Sequence, residues 1–410
     1  MGEGHDVVIA GAGPAGAQCA RDLAARDYDV VVLETESEAE FPRQSNKSTG
    51  GTFPSMMASF GIPDDVVMQF TDSVVLESPN GHYVTEQSGA VLEFAEFKRF
   101  LVRDSRERGA EYVWDARVSK PVLQNDEITG VRYNGDQEIH GDVIIDATGP
   151  SAPLAKALGV SDLQRDHQAI GIEFECEGVD LAPDGYADLN DAMMLRLDHA
   201  VAPGGYSWIF HTGEDTAKVG LCYIQNESHR NRAEPGLGID DYLDRWQAAD
   251  PRLDSADRIE TKQHRGSAHI QSPGSMSTDN FMAIGDTVPT IDPVWGEGIH
   301  KGMKSARAAA VTADHCLTPN EADTSAENMA LYDELWHEEV APNVESRLLL
   351  TELLYLASNE RYDQFMRDLN RADQDTLAQA NEGSKLAMLR LLHLSDVPML
   401  VRFARQRMAA

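Results

Sequence analysis

Gly11, Gly13 and Gly16 stand in a G-x-G-x-x-G spacing directly after the apolar run Val7-Val8-Ile9-Ala10, and Glu34 follows about 20 residues on. Residues of these types in this order can hold a dinucleotide. Gly11 permits a tight strand-to-helix turn, Gly13 lets the backbone approach a pyrophosphate, and Gly16 lets helix and strand pack closely. The helix-like segment that follows, Ala17 to Arg26, offers unpaired N–H groups and a partial positive charge to phosphates. Glu34 closes a second apolar run, Val30 to Leu33, where it can accept hydrogen bonds from an adenosine ribose.

Two later groups add chemistry. The run Asn280 to Asp286 reads as a strand that delivers Asp286 to a ribityl chain or pyrophosphate. Pro289, Pro293, Gly296 and Gly298 follow it, and then the helix-like Ile299 to Ala310. A helix N-terminus aimed at a flavin ring would stabilise the ring's anionic reduced form. That third element is what NAD alone would not need, so FAD is the expected cofactor. Tyr206, Trp208 and Phe210 alternate, so on a strand they share one face. Such a face could line an apolar channel and stabilise developing positive charge, or serve simply as core. Tyr206, His211, Glu297 and His300 are candidate proton donors, and a solvent proton is the alternative.

The elements that must position these groups follow from periodicity. A strand-helix-strand unit covers roughly residues 6–34, and an irregular Pro42 to Pro54 segment is long enough to suggest a functional loop. Residues 92–109 read as an amphipathic helix, with Phe94, Phe97, Leu101 and Val102 near one face. A β-rich stretch runs over Tyr112 to Val122, Ile128 to Tyr133 and Asp142 to Asp146, with a turn at Asn125-Asp126. Alternation dominates residues 166–271, as in Ala169–Glu175 and Lys218–Tyr223, which predicts a half-buried antiparallel sheet. Residues 326–410 are helical in pattern, with Leu348, Leu349, Leu350, Leu353, Leu354 and Leu356 clustered.

A chain of 410 residues can bury a large core. Its net charge of −33 argues against nucleic acid as a partner and against simple electrostatic docking on anionic lipid. Arginine supplies most of the positive charge, and a carboxylate-rich, lysine-poor surface suits a protein kept soluble in concentrated salt. Cys19, Cys176, Cys222 and Cys316 are scattered, as free thiols in a reducing cytoplasm would be, and no metal cluster is expected. No signal-like segment opens the chain, and no apolar run approaches the ~20 residues needed to span a bilayer.

Val143 to Gly149 resembles the A-T-G element of two-dinucleotide flavoproteins, in which a strand returns beneath the cofactor. With all three elements in this order, the chain resembles FAD proteins of the p-hydroxybenzoate hydroxylase fold. Pro203-Gly204-Gly205-Tyr206-Ser207-Trp208-Ile209-Phe210 is similar to the P-x-x-Y-x-W-x-F-P signature of the geranylgeranyl reductase family. Phe41-Pro42-Arg43, Lys47 and Gly50-Gly51 resemble that family's loop near the flavin. The resemblance covers roughly residues 5–315. The chain departs from the pattern in four places. His211 stands for the last proline of the signature, Thr49 for a frequent cysteine, and Phe94 for a frequent arginine; Glu297 and His300 stand where small or apolar residues are common.

The resemblance implies an α/β flavoprotein with a Rossmann-like FAD domain (1–75, 92–165 and 272–318), an antiparallel substrate sheet (76–91 and 166–271) and a C-terminal helical region (319–410). It implies reduction of C=C bonds in geranylgeranyl chains of archaeal ether lipids or their precursors. Electrons would come from NAD(P)H or a ferredoxin-like iron-sulfur protein. The lipid substrate points to a peripheral membrane encounter. Residues expected at the cofactor are Gly11, Gly13, Ala15, Gly16, Glu34, Arg43, Gly50, Val118, Asp286, Gly296, Gly298 and Ile299. Those expected at the reacting bond are Tyr206, Trp208, Phe210 and His300. An aromatic hydroxylase of the same fold, a non-redox flavin-dependent cyclase, and an electron-transfer or lipid-carrier flavoprotein are the competing readings. The flavin halogenases are related too, but their G-x-W-x-x-I-P pattern is absent.

Overall fold

The computed structural model describes residues 4–43, 48–318, 322–381, 384–390 and 392–409. The chain opens with β1 (His5–Ala10), α1 (Pro14–Ala24) and β2 (Val30–Leu33). Val7, Val8, Ile9 and Ala10 are wholly buried, as expected of a central parallel strand covered on both faces. A Cβ on Gly16 would stand 2.0 Å from the Gly11 carbonyl oxygen, so α1 reaches β1 this closely only because residue 16 has no side chain. Next come β3 (Gly51–Thr52), α2 (Pro54–Phe60), β4 (Val67–Ser78), β5 (Gly81–Leu92) and α3 (Phe94–Glu107). Then β6 (Glu111–Val113), β7 (Val118–Gln124), β8 (Glu127–Tyr133), β9 (Gln137–Asp146) and α4 (Pro153–Ala157) follow. The single β-rich stretch expected over Tyr112 to Val122 is thus two strands, broken where Asp115 turns at φ +54°.

The middle of the chain supplies β10 (Gln168–Glu177), β11 (Ala192–Arg196), β12 (Gly205–Gly213) and β13 (Thr216–Ile224). Two helices, α5 (Glu227–Arg230) and α6 (Ile239–Ala249), and β14 (Asp257–His269) complete it. The chain then returns through β15 (Ser277–Thr278), β16 (Phe281–Ala283) and α7 (Ile299–Cys316). The helices α8 (Ala326–Met329), α9 (Leu331–Leu335), α10 (Val344–Leu356) and α11 (Asn359–Leu369) lead into the C-terminal region.

Among the described residues two eight-stranded sheets form. The first runs β15-β16-β9-β1-β2-β6, with β16, β9, β1, β2 and β6 parallel and the β7–β8–β9 meander at its side. The second runs β14-β10-β13-β12-β11-β4-β5-β3. Because β4 lies wholly in the second sheet, the boundary expected after residue 75 falls inside a strand. One face of the second sheet packs Ile172, Ile209, Val219 and Leu221 against Tyr242, Leu243 and Trp246 of α6. The other face turns toward the first sheet. Among the described residues no helix is long and apolar enough to cross a membrane, no cluster of ligands suits a metal ion, and the four cysteines are unpaired.

Candidate active site

Between the two sheets lies a cavity of about 1210 Å³. At one end it is walled by Gly11, Gly13, Ala15, Glu34, Glu36 and Val118. Glu34 is 7% exposed; its carboxylate accepts hydrogen bonds from Ala12 N (2.8 Å) and Glu36 N (3.0 Å), which holds the glycine turn against the end of β2. Nothing lies within 4 Å of where a Cβ on Gly13 would stand, so the start of α1 is open to a phosphate. Beneath it, Asp146 at the end of β9 is wholly buried. It accepts from Thr148 N, Leu154 N and Ala155 N at 3.0–3.1 Å, which fixes the A-T-G turn.

The third motif closes the middle of the cavity. Asp286 lines it and makes no hydrogen bond among the described residues, and burial pushes its carboxyl up to about 6. Its Oδ1 is 3.7 Å from where a Cβ on Gly298 would stand, beside the first residues of α7. The turn between them is pinned by Asp292, which accepts from Val294 N and Trp295 N (both 3.0 Å) and pairs with Arg347 of α10 at 2.6 Å. An unengaged acid, an open glycine loop and a ribose-competent Glu34 along one cavity fit the ribityl, pyrophosphate and adenosine parts of FAD. Lys98 of α3, 2% exposed and one helical turn beyond Phe94, lines the same wall, with its ammonium 4.7 Å from the centre of the Phe41 ring.

The floor is the open face of the second sheet. Tyr206 and Trp208 both line the cavity, with ring centroids 5.7 Å apart. The Tyr206 hydroxyl donates to Trp295 O (3.5 Å), and a Cβ on Gly296 would stand only 2.0 Å from it. Gly296 itself has φ +66°, so both its turn and its contact require glycine. Burial pushes the Tyr206 phenol well above its ordinary range.

Not every residue expected from the sequence joins this site. Phe210 shares the face of Tyr206 and Trp208 but lies off the cavity, packed with Phe53 and Trp295 where β3 folds over the strand end. A Cβ on Gly51 would stand 2.6 Å from its ring. His300 is also off the lining: its ring meets Phe60 edge-on at 6.1 Å, and burial together with Lys304, Lys301 and Arg307 lowers it to about 4. It is therefore neutral at neutral pH, and its ring lies away from the cavity. Arg43 turns outward, 78% exposed and 3.6 Å from Glu40. Gly50 and Gly16 serve backbone packing off the lining, and His211 binds Asp191 N (2.9 Å). Lys47 lies outside the described residues. Thr49 does line the cavity, and buried Lys218 holds its carbonyl at 2.8 Å and that of Leu92 at 3.0 Å.

Glu297 caps α7 by accepting from His300 N. Burial pushes its carboxyl up to about 7; Asp292 adds to the rise, while the His300 N–H and Lys301 oppose it. Unfolded, the group ionises near 4.5. Between the two values the unfolded chain releases a proton that the folded chain keeps, so stability falls as pH rises through that window. Glu297→Gln retains an acceptor for His300 N but cannot ionise. Relative to the parent, it should gain on the order of 1–3 kcal/mol of stability between about pH 4 and pH 8. Denaturant unfolding of the apoprotein at both pH values measures this; an equal difference at both contradicts it.

A lycopene cyclase protein family model matches residues 6–184, and a geranylgeranyl reductase catalytic domain model matches residues 186–263. A digeranylgeranylglycerophospholipid reductase of Haloferax volcanii is 67% identical over 405 residues, 99% of each chain. Digeranylgeranylglycerophospholipid reductase 2 of Methanopyrus kandleri is 28% identical, covering 98% of this chain and 99% of its own. Among solved structures, a geranylgeranyl bacteriochlorophyll reductase-like protein of Thermoplasma acidophilum superposes with a TM-score of 0.81 at 21% identity, covering 95% of this chain and 96% of its own. The halogenase PltM, in complex with phloroglucinol and FAD, gives a TM-score of 0.69 at 16% identity, with 94% and 82% covered. At these identities the two structures speak for the fold.

Proposed function

The chain belongs to the digeranylgeranylglycerophospholipid reductase family, and on that premise we propose that it is an FAD-dependent reductase of C=C bonds in the geranylgeranyl chains of archaeal ether lipids or their precursors. One observation carries the reading: the cradle for a dinucleotide opens, without a dividing wall, onto a floor paved by Tyr206 and Trp208. Bound reduced FAD supplies the hydride. Glu34, Gly13 and Ala15, Asp286, and Gly298 with Ile299 are the residues that would hold it, and Lys98 joins them. An isolated alkene has no carbonyl to polarise, so the protein's work is to hold the bond in place, exclude water and manage one proton. The first sheet with α1, α3 and α7 is the FAD domain, the second sheet with α6 the substrate domain, and the helices after α7 cover both.

The test is anaerobic. Protein loaded with FAD and reduced by dithionite is given a digeranylgeranyl glycerophospholipid, and products are read by mass spectrometry. Products heavier by two mass units per bond support the reading. Unchanged lipid, or lipid oxygenated once air is admitted, contradicts it. NAD(P)H and a ferredoxin-like protein are the two candidate donors, separated by which of them bleaches the oxidised flavin band.

A lipid substrate also requires a meeting with the membrane, and the C-terminus supports one. Residues 385–410 carry Lys385, Arg390, Arg402, Arg405 and Arg407 against Asp396 alone, in a chain of net charge −33. Leu386, Val397 and Val401 are 75%, 49% and 45% exposed. Met399 packs in the same cluster as Tyr206, Ile291 and Tyr355, which line the cavity. An apolar stretch beside the cavity, with Arg390 and Arg402 exposed on it, is a surface that can leave water for anionic lipid. Flotation with anionic ether-lipid vesicles should carry the parent and leave behind the Leu386→Glu, Val397→Glu, Val401→Glu triple variant; equal flotation of the two contradicts this surface.

A further inference from the structure

One carboxyl group on the cavity floor belongs to none of the motifs. Glu173 of β10 is 3% exposed and lies on the lining. Its Oε2 accepts a 2.8 Å hydrogen bond from the Trp208 indole N–H, and its Oε1 has no hydrogen-bond partner among the described residues. A buried polar atom left unpaired is costly unless the site uses it.

The sheet register explains how these groups meet. His264, Glu173, Gly220 and Trp208 form one row across β14, β10, β13 and β12. Residues directly opposed in antiparallel strands share a face, with Cβ atoms about 5 Å apart. A Cβ on Gly220 would stand 2.4 Å from the indole, so the bare backbone of β13 is what lets Trp208 lie across it and reach Glu173 two strands away. On the other side of Glu173, His264 is half-buried on an edge strand. It lines both the main cavity and a separate basin of about 830 Å³ outside it. The row therefore runs from an outer basin, through an imidazole and a carboxyl, to the aromatic floor.

Building on the reductase reading above, we propose that Glu173 donates the proton that completes each alkene reduction and that His264 restores it from solvent. Saturating one C=C bond takes a hydride and a proton. The hydride, which carries both electrons, would come from reduced FAD, thereby oxidised. The proton comes from the Glu173 carboxyl, whose O–H bond breaks as the new C–H bond forms, and the carboxylate left behind is reprotonated through His264. The other candidates are engaged elsewhere or off the lining. His300 faces Phe60, the Glu297 carboxyl caps α7, and the Tyr206 hydroxyl donates to Trp295 O. The titratable groups around Glu173 are His264 and Lys262 on β14, Glu175 on its own strand, and Lys218 and Cys222 on β13; Lys98 of α3 lines the same cavity.

The test compares Glu173→Gln, Glu173→Asp and Glu173→Leu in the FAD-loaded full chain. Readouts are flavin content, tryptophan fluorescence, and the anaerobic rate at which digeranylgeranyl glycerophospholipid oxidises the reduced flavin across pH. Glutamine keeps an acceptor for the indole, so flavin content and fluorescence should match the parent. Its rate should fall by about 100-fold or more, and the parent's decline in rate with rising pH should disappear. Aspartate should recover part of the rate with a displaced pH profile, which also carries the test if the glutamine variant does not fold. A glutamine variant within threefold of the parent and with the parent's pH profile, while leucine alters fluorescence, would overturn the proposal and leave Glu173 as a support for Trp208. A parent that saturates no lipid would instead overturn the reductase reading, before any variant is made.

Discussion

Gly296→Val leaves the protein folded and slows prenyl reduction by about 100-fold or more. The added Cβ would stand 2.0 Å from the Tyr206 hydroxyl and 3.1 Å from the carbon that bears it. Either the phenol moves off the floor or the turn from Asp292 to Gly298 moves off the phenol. The backbone adds to the conflict, because φ +66° disfavours any β-branched residue. Asp292 and Arg347 hold that turn from behind, so the displacement is forced toward the cavity, where the reacting bond must be aligned. The variant's flavin content, unfolding curve and single-turnover rate together check this. A rate within tenfold of the parent at full flavin loading would mean that the Tyr206–Gly296 contact does not shape the reaction site.

Arg252→Leu, in the loop after α6, should destabilise the protein by about 3–5 kcal/mol. Arg252 is wholly buried. It meets both oxygens of Glu77 (2.8 and 2.9 Å) and both of Asp250 (2.9 and 2.8 Å). Arg196 shares Glu77 at 3.2 Å and holds Asp198 at 2.9 Å, and Asn359 of α11 donates to Asp198 at 2.9 Å. The network thus ties β4, β11, the loop after α6 and the C-terminal helices. Leucine leaves Asp250 without its guanidinium and Glu77 with Arg196 alone, both inside the fold. Arg252 also holds the Asp250 carboxyl below its ordinary range, a contribution present at neutral pH and lost as pH falls through the lowered value. Denaturant midpoints of parent and variant in high salt measure the loss; a difference below about 1 kcal/mol contradicts the network's role.

What could be read from the chain alone was what depends on short spacing. The glycine turn, Glu34 at the end of β2, and Asp286 ahead of Gly298 are each set by a few consecutive residues, and their places on one cavity follow from strand order. Alternation placed Tyr206, Trp208 and Phe210 on one face, but it carries no sign of where a distant segment covers that face. At Phe210 the short β3 does so. The helical pattern of α7 likewise says nothing of its rotation, which turns His300 toward Phe60. Glu173 was invisible for a different reason. Its meaning lies in a four-strand row whose members are separated by as many as 91 positions, and in an absent side chain at Gly220. Lys98 belongs to no motif: in sequence it is one polar residue of an amphipathic helix, and only the packing of α3 buries it.

The most direct measurement is the stoichiometry of one turnover without oxygen. FAD-loaded protein, reduced with a single equivalent of dithionite in concentrated salt, is mixed with a digeranylgeranyl glycerophospholipid while the flavin band and the product mass are followed. The predicted result is one flavin reoxidised for each C=C bond lost, the product gaining two mass units. Flavin that stays reduced while the lipid cyclises without change of mass, or that reoxidises only in air while the product gains oxygen, would contradict the reductase account.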